Sequence, residues 1–349
     1  MSKDIFVIVE QRDGKIQHVG IELIGESTKL AKDLGQKVVA VLLGHNIAGS
    51  AQQLIEFGAD KVLIVDHPML AEYVTEPYTK AVTQIIKDYD PEIVMFGATS
   101  MGRDVAPRVA GRVHTGLTAD CTKLDIGEAT KRFADGTTKK YEGQLLMTRP
   151  AFGGNIMATI VCTEYRPQMA TVRPGVMPAL EPDKSRTGEI ETVQVDFTDA
   201  DMNVELVEVR KETRKIVDVT QAKVLVSGGR GIGGPEAFEA ELRPVANLLG
   251  GEISSSRACV EAGWIPQERQ VGQTGKTVRP NLYMACGISG AIQHLAGMSE
   301  AELIIAINKN EAAPIFGVAD LGIVNDLHKV LPKLAESLEK YFAERAVKI

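Results

Sequence analysis

Lys223-Val224-Leu225-Val226 runs into Ser227-Gly228-Gly229-Arg230-Gly231-Ile232-Gly233-Gly234, and a helix-length segment from Pro235 to Leu249 follows. A short β-branched run, a glycine loop and a helix form the opening of a βαβ unit, in which the loop brings backbone amides up to an anion at the helix N-terminus. Gly229, Gly231 and Gly234 satisfy the spacing GxGxxG, and Glu252 lies near the distance at which a dinucleotide fold carries its ribose-binding acid. This pattern alone leaves two readings open, a nucleotide loop and a plain glycine-rich connection. Strand-like runs near Tyr283 to Ala285 and Leu303 to Ile307, then a charged amphipathic helix from Pro332 to Val347, continue the alternation.

Working back towards the N-terminus, β-branched runs at Ile5 to Val9, Val38 to Leu43, Val62 to Val65 and Ile93 to Phe96 alternate with helix-length segments. In one of these, Pro77 suits a first helical position, and Tyr78, Val82 and Ile85 share a face. Strands alternating with helices imply right-handed βαβ units and a mainly parallel sheet. After Val113 the sequence turns strand-rich, with Leu145 to Met147 and Ile156 to Val161 flanking Gly153-Gly154-Asn155, which reads as an appended hairpin. From Pro174 to Thr213, Pro and charge enrichment suit a surface connector. The expected fold is α/β in two domains divided near residue 210. Residues 1–210 form a Rossmann-like parallel sheet with the hairpin, and 211–349 a flavodoxin/Rossmann-like domain with the terminal helix.

The length of 349 residues agrees with two domains at roughly 150 residues each. A hydrophobic share of 44% and a charged share of 24% are those of an ordinary globular protein. The net charge of −7 argues against nucleic acid or anionic lipid as partner. Cys121, Cys162, Cys259 and Cys286 form no CxxC and have no His at metal-ligand spacing, which suits reduced thiols. The start lacks the pattern of a signal or transit peptide, and the apolar runs fall far short of the ~18 residues of a membrane span. A cytoplasmic protein is expected.

Unusual polar residues beside glycines recur downstream: Ser256-Arg257, then Gln270 to Thr277, Gly287 to His294, and Ile307-Asn308-Lys309. Each lies at a strand end or loop start, so a parallel sheet would bring them to one crevice. Arg230, Arg257 and Lys276 suit phosphates or an anionic ring, and Thr274, Ser289, Gln293 and Asn308 suit directional hydrogen bonds. Taken singly, each is equally a cap or a surface residue. His294, alone in an apolar segment, reads more readily as a satisfied structural histidine than as an acid, base or ligand. No GxSxG and no second nearby His occur, so neither a hydrolase triad nor a metal site is expected. In the first half, Gly97 to Asp104 and Thr148 to Asn155 could touch an anion or a partner chain, or be a helix cap and a hairpin turn.

Taken in order, SGGRGIGG, SSSRACVEAGW, QVGQTGKTVRPNLYMACGISGAIQHLAGM and IAINKNEAAPIFGVADLGIVNDL resemble the alpha subunit of the electron-transfer flavoprotein family. TSMGRDVAPRVAGR and TRPAFGGN are similar to the same family, so the resemblance spans nearly the whole chain. It implies FAD in the C-terminal domain and a heterodimer with a beta subunit that binds a second nucleotide, AMP or FAD. The FAD residues it implies are Arg230, Ser256, Arg257, Val271, Gly272, Gln273, Thr274, Ser289, Gly290, Ala291, Ile292, Gln293, His294, Asn308, Asp326 and Leu327. A ring accepting electrons gains negative charge, so Arg257 and a donating His294 are expected beside it, with Thr274 near N5 and the 289–293 amides and Asn308 at the diphosphate and ribose. Cys259, Glu261, Cys286 and Asn325 depart from the family's usual residues without removing any of these groups.

The implied role is electron carrier rather than stand-alone enzyme, between an acyl-CoA-type dehydrogenase, as in fatty acid oxidation, and another redox partner. A bifurcating mode would add NADH and ferredoxin, with Arg149 approaching the second site across the subunit interface. The C-terminal domain is expected to swing about the connector near 210, bringing the flavin to a partner's cofactor. Two rivals stand beside this: an NAD-dependent dehydrogenase using the 228–234 loop with Glu252 on the ribose, and a nucleotide-binding regulatory subunit working through the first-half domain.

Overall fold

The computed structural model describes residues 4–133, 135–151, 156–209 and 218–346. They gather into two compact units, one ending at residue 209 and the other beginning at 218. Thus Gly153-Gly154-Asn155 and the segment about 210 lie outside the described residues.

The first unit runs β1 (Ile5–Val9), β2 (Gln11–Arg12), β3 (Lys15–Ile16), α1 (His18–Leu34), β4 (Val38–Gly44), α2 (Ala51–Glu56), β5 (Lys61–Asp66), α3 (Thr75–Tyr89), β6 (Ile93–Gly97) and α4 (Ser100–Val113). It continues with β7 (Leu117–Cys121), β8 (Lys123–Arg132), β9 (Thr138–Pro150), β10 (Met157–Ile160), β11 (Gln168–Val172) and β12 (Glu189–Thr192). Seven strands form a wholly parallel sheet in the order β12-β5-β4-β1-β6-β11-β7. Every residue of β1, β4, β6 and β11 is buried, and β1, β4 and β6 accordingly read as apolar runs, whereas β11 buries Gln168, whose Oε1 accepts the Leu145 N–H at 2.9 Å, and Thr171, whose Oγ1 accepts the Asp120 N–H at 2.9 Å. Ile5, Val7 and Val9 pack on one face with Leu23 and Leu30 of α1 and Leu54 of α2. Phe6 and Ile8 pack on the other with Val82 and Ile85 of α3 and Val105 and Val109 of α4.

Two expectations change here. The appended hairpin is a three-stranded antiparallel sheet, β10-β9-β8, because charged Lys123–Arg132 also pairs, with Leu124 opposite Met147. The surface connector begins later than Pro174, since β12 joins the edge of the main sheet with Ile190 opposite Val62. The polarity of β12 is that of an edge strand: Lys61 of β5 lies 2.8 Å from Glu189 and 2.6 Å from Glu191. Beyond it, Val195 is buried in the core.

The second unit contains β13 (Val224–Gly228), α5 (Arg243–Leu248), β14 (Glu252–Ser255), α6 (Arg257–Glu261), β15 (Leu282–Cys286), α7 (Ile292–Leu295), β16 (Ile304–Asn308), β17 (Leu321–Val324) and α8 (Leu327–Ala346). Its sheet, β14-β13-β15-β16-β17, is also wholly parallel. Counted within the unit the order is 2-1-3-4-5, that of flavodoxin-like folds. The helix expected from Pro235 to Leu249 is interrupted by a π-turn over Phe238–Leu242. Pro244 stands two residues beyond it, and a proline offers no N–H and crowds the carbonyl four residues back, that of Ala240 within the turn, which a wider turn relieves. The terminal helix begins at Leu327 rather than Pro332, its first turn capped by Asp326, which accepts the His328 N–H at 3.1 Å.

Candidate functional site

From β13 the chain passes to β14 on one side and then back across to β15 on the other, so the loops leaving β13 and β15 diverge and open a crevice at the carboxyl ends of the strands. A cavity of about 730 Å³ lies there. Each strand end supplies part of its wall. Arg230 and Gly231 follow β13; Ser256, Arg257, Ala258 and Glu261 follow β14, with Gln270, Val271, Gly272, Gln273 and Thr274 on the next loop. Gly287, Ile288, Ser289, Ala291, Gln293 and His294 follow β15, Asn308 and Lys309 end β16, and Asn325 and Leu327 lie beyond β17.

Of the residues singled out in the sequence, Gly290, Ile292 and Asp326 are outside the cavity lining, as is Lys276. Gly290 works behind the wall: its φ is +88°, and a Cβ there would meet the Ile315 backbone nitrogen at 2.3 Å. Ile292 is 42% exposed, and Asp326 caps α8 while pairing with Lys309 at 3.1 Å. Gly231, Ala258, Glu261, Gln270, Gly287, Ile288, Lys309 and Asn325 join the wall without having been assigned to the cofactor. Gln270, Gly287, Ile288 and Lys309 already stood in the polar stretches, whereas Ala258 carries no polar signal a sequence could show.

Hydrogen-bond accounting decides what the loops can offer. Gly229 N–H donates to Cys286 O at 2.9 Å and Gly231 N–H to Gly287 O at 3.0 Å, while Ile232 and Gly233 N–H turn back to Gly229 and Arg230 carbonyls. These GxGxxG amides therefore tie the two loops together. A Cβ on Gly229 would stand 2.3 Å from Gly287 O, so close backbone packing explains the glycine. Glu252 is likewise engaged, with Arg243 at 3.3 Å and Arg269 at 3.2 Å. Both supports of the NAD-dehydrogenase rival are thus committed elsewhere. By contrast, the N–H groups of Ser289, Gly290, Ala291, Ile292 and Gln293 find no acceptor among the described residues. They form the donor row that a diphosphate needs.

Charge on the wall comes from Arg230, Arg257 and Lys309, against the single carboxylate of Glu261, which lies 2.7 Å from Arg257 Nε. Thr274 Oγ1 accepts from Gln270 Nε2 at 3.1 Å and keeps its own proton to donate. Asn308 Nδ2 donates to Ile288 O at 2.8 Å and Oδ1 accepts from Asn310 N–H at 2.9 Å, so this side chain mainly fixes the loop after β15. Cys286 is fully buried and burial pushes its thiol up to about 12, leaving it a small apolar residue.

His294 requires a correction. It lines the cavity but is only 6% exposed, and both ring nitrogens have protein partners. Nδ1 lies 3.1 Å from Val271 O, which can only accept, so Nδ1 carries the proton; Nε2 then accepts from the Tyr283 hydroxyl at 3.0 Å. Burial lowers its pKa to about 4, so the ring is neutral at pH 7. The expected donor to a flavin is instead an uncharged, doubly anchored imidazole. Tyr283, which holds it, was not singled out because an aromatic residue in a buried strand reads as core.

In the first unit the strand order reverses between β1 and β6, and a carboxylate stands at their carboxyl ends. Glu10, just beyond β1, accepts from the Thr99 hydroxyl at the N-terminus of α4 and from Arg12 Nε at 2.9 Å. Thr99 is also the helix cap, accepting the Gly102 N–H at 3.1 Å. A negative group thus sits beside the N-terminus of α4, where its charge is favoured by the helix dipole. Arg149 lies on β9 opposite Ala158 of β10.

A cavity of this size, with a row of amide donors, cationic side chains and a buried apolar floor, fits an elongated ligand that joins a diphosphate to a planar ring system. Family comparison agrees: residues 5–198 match the electron transfer flavoprotein domain, and residues 218–299 the electron transfer flavoprotein FAD-binding domain. The chain is 53% identical to "Electron transfer flavoprotein subunit alpha" of Thermoanaerobacterium thermosaccharolyticum, over 97% of this chain and 98% of that one. It is 50% identical to "Protein FixB" of Clostridium saccharobutylicum over 98% of both chains. With "Acryloyl-CoA reductase electron transfer subunit beta" of Anaerotignum propionicum it shares 45% identity, over 97% and 96% of the two chains. No helix among the described residues is long and apolar enough to cross a membrane.

Proposed function

Since the chain belongs to the electron transfer flavoprotein family as an alpha subunit, we propose that it holds one FAD in the cavity of its second unit. We further propose that it carries electrons between an acyl-CoA-type dehydrogenase and a second redox partner. The observation that carries the cofactor assignment is the row of unengaged N–H groups from Ser289 to Gln293, of which Ser289, Ala291 and Gln293 line the cavity. That row takes the diphosphate, Thr274 donates towards the ring, and Arg230, Arg257 and Lys309 hold negative charge near it. When bound, the flavin supplies the electron chemistry, and the protein supplies position and field. In this reading the chain works as a carrier rather than a stand-alone enzyme.

The reading includes a heterodimer with a beta subunit that binds a second nucleotide, and a cytoplasmic setting. The likeness to an acryloyl-CoA reductase electron transfer subunit supports a CoA-ester dehydrogenase as partner. Within this frame a shuttle has AMP in the beta subunit, and a bifurcating complex, drawing on NADH and ferredoxin, has FAD there. Counting flavins released from the co-purified heterodimer tests this directly. Two FAD would assign bifurcation, one FAD with AMP would assign the shuttle, and no flavin would overturn the cofactor reading.

A further inference from the structure

Behind the cavity lies a polar cluster that the flavin reading does not use. Tyr283, the second residue of β15, is 0% exposed, and its hydroxyl reaches His294 Nε2 at 3.0 Å. The polar groups around the phenol are the hydroxyls of Ser227 on β13 and Ser254 on β14, both fully buried. From His294 the connection continues, since Nδ1 donates to Val271 O, and the Gln273 N–H donates to Gln293 O at 2.7 Å. The imidazole therefore ties the loop that carries Gly272, Gln273 and Thr274 to the segment that carries the amide row. A Cβ on Gly272 would stand 2.9 Å from Gln293 O, so the two segments touch at backbone distance.

We propose that Tyr283 is a positioning residue: its hydroxyl proton, donated to Nε2, locks His294 as a single Nδ1–H tautomer, and the locked ring sets the 271–274 loop against the amide row. The tautomer lock stands on the protein alone, and its effect on flavin rests on the FAD reading given above. A buried phenol is well suited to this task, because its O–H is the only proton it can place and its ring is held by the sheet. The other ionisable groups near the pair are Cys286 on the same strand and Arg230, Arg257, Glu261 and Lys309 on the cavity wall. None of these side chains hydrogen-bonds to the imidazole, so the tautomer is decided by Tyr283 and Val271.

Nitrogen-15 NMR of the imidazole in the full-length heterodimer, with and without FAD, tests the lock without requiring any variant. The expected spectrum is one neutral Nδ1–H tautomer unchanged from pH 6 to 8; an Nε2–H signal, or titration in that interval, would overturn the proposal. In Tyr283→Phe, which keeps the ring and removes the donor, Val271 O alone is left to hold Nδ1–H, so an Nε2–H fraction should appear beside the Nδ1–H form and FAD should bind about tenfold more weakly, as expected for a buried acceptor left alone. An unchanged tautomer together with unchanged FAD affinity would overturn it as well. Failure of the wild-type complex to bind FAD would count against the flavin reading, and the NMR result would still decide the lock.

Discussion

Gly290 does not touch the cavity, yet the cavity wall depends on it. With φ at +88° and a Cβ position 2.3 Å from the backbone of Ile315, a side chain there meets both strain and collision. Gly290→Ala should therefore lower the stability of the second unit by roughly 2 kcal/mol or more. Urea unfolding would measure this, and wild-type stability in the variant would show that the loop yields freely. His294 gives a pH dependence whose sign follows from its burial. Its folded pKa of about 4 lies below the ordinary value of 6.5, so the unfolded chain binds the proton first. The stability this group contributes is complete above pH 6.5 and is lost as pH falls towards 4, by up to about 3 kcal/mol. Unfolding curves at pH 7 and pH 5 should show the decline, and His294→Asn should flatten it.

Elements buried on both faces were legible because nothing polar interrupts them. β1, β4 and β6 announce themselves as runs of Val, Ile, Leu and Phe. β8, β12 and β17 did not, since each is short or largely exposed and owes its conformation to a neighbour across the sheet. The convergence of loops on one crevice was readable from strand direction, but the use made of each amide was not. GxGxxG specifies a tight backbone path, and the path here serves another loop; the unengaged amides belong to the Ser289 to Gln293 stretch, to which the family resemblance pointed and no loop fingerprint did. For His294 the residue reading, a satisfied structural histidine, agrees with the structure, and what it could not supply is the partner Tyr283 on a neighbouring strand. At the first helix cap of interest the local rule does hold. Thr99→Ala removes both the cap of α4 and the hydroxyl partner of Glu10, and should cost the first unit about 1 kcal/mol while leaving FAD affinity unchanged. A drop in FAD affinity with normal folding would contradict the assignment of the cofactor to the second unit.

On the scale of the whole chain, an acidic protein keeps a cationic pocket, so the net charge of −7 describes its surface and not its ligand. FAD at about a hundred times its dissociation constant should stabilise the unit that holds it by about 2.7 kcal/mol. Calorimetry of the heterodimer would follow this as an upward shift, and a transition indifferent to FAD would contradict it. The strand order of the first unit also has a bearing on how the molecule is made. β11 lies between β6 and β7 although it is later in the chain than either, and β12 reaches its place beside β5 more than a hundred residues after β5 has been completed. At translation speeds of ~5–20 residues per second, the flanks of β5 and β6 remain bare for several seconds while the ribosome is still at work. The growing chain must therefore be shielded over that interval, and a cell short of chaperones should lose this subunit to aggregation before its second unit has been synthesised.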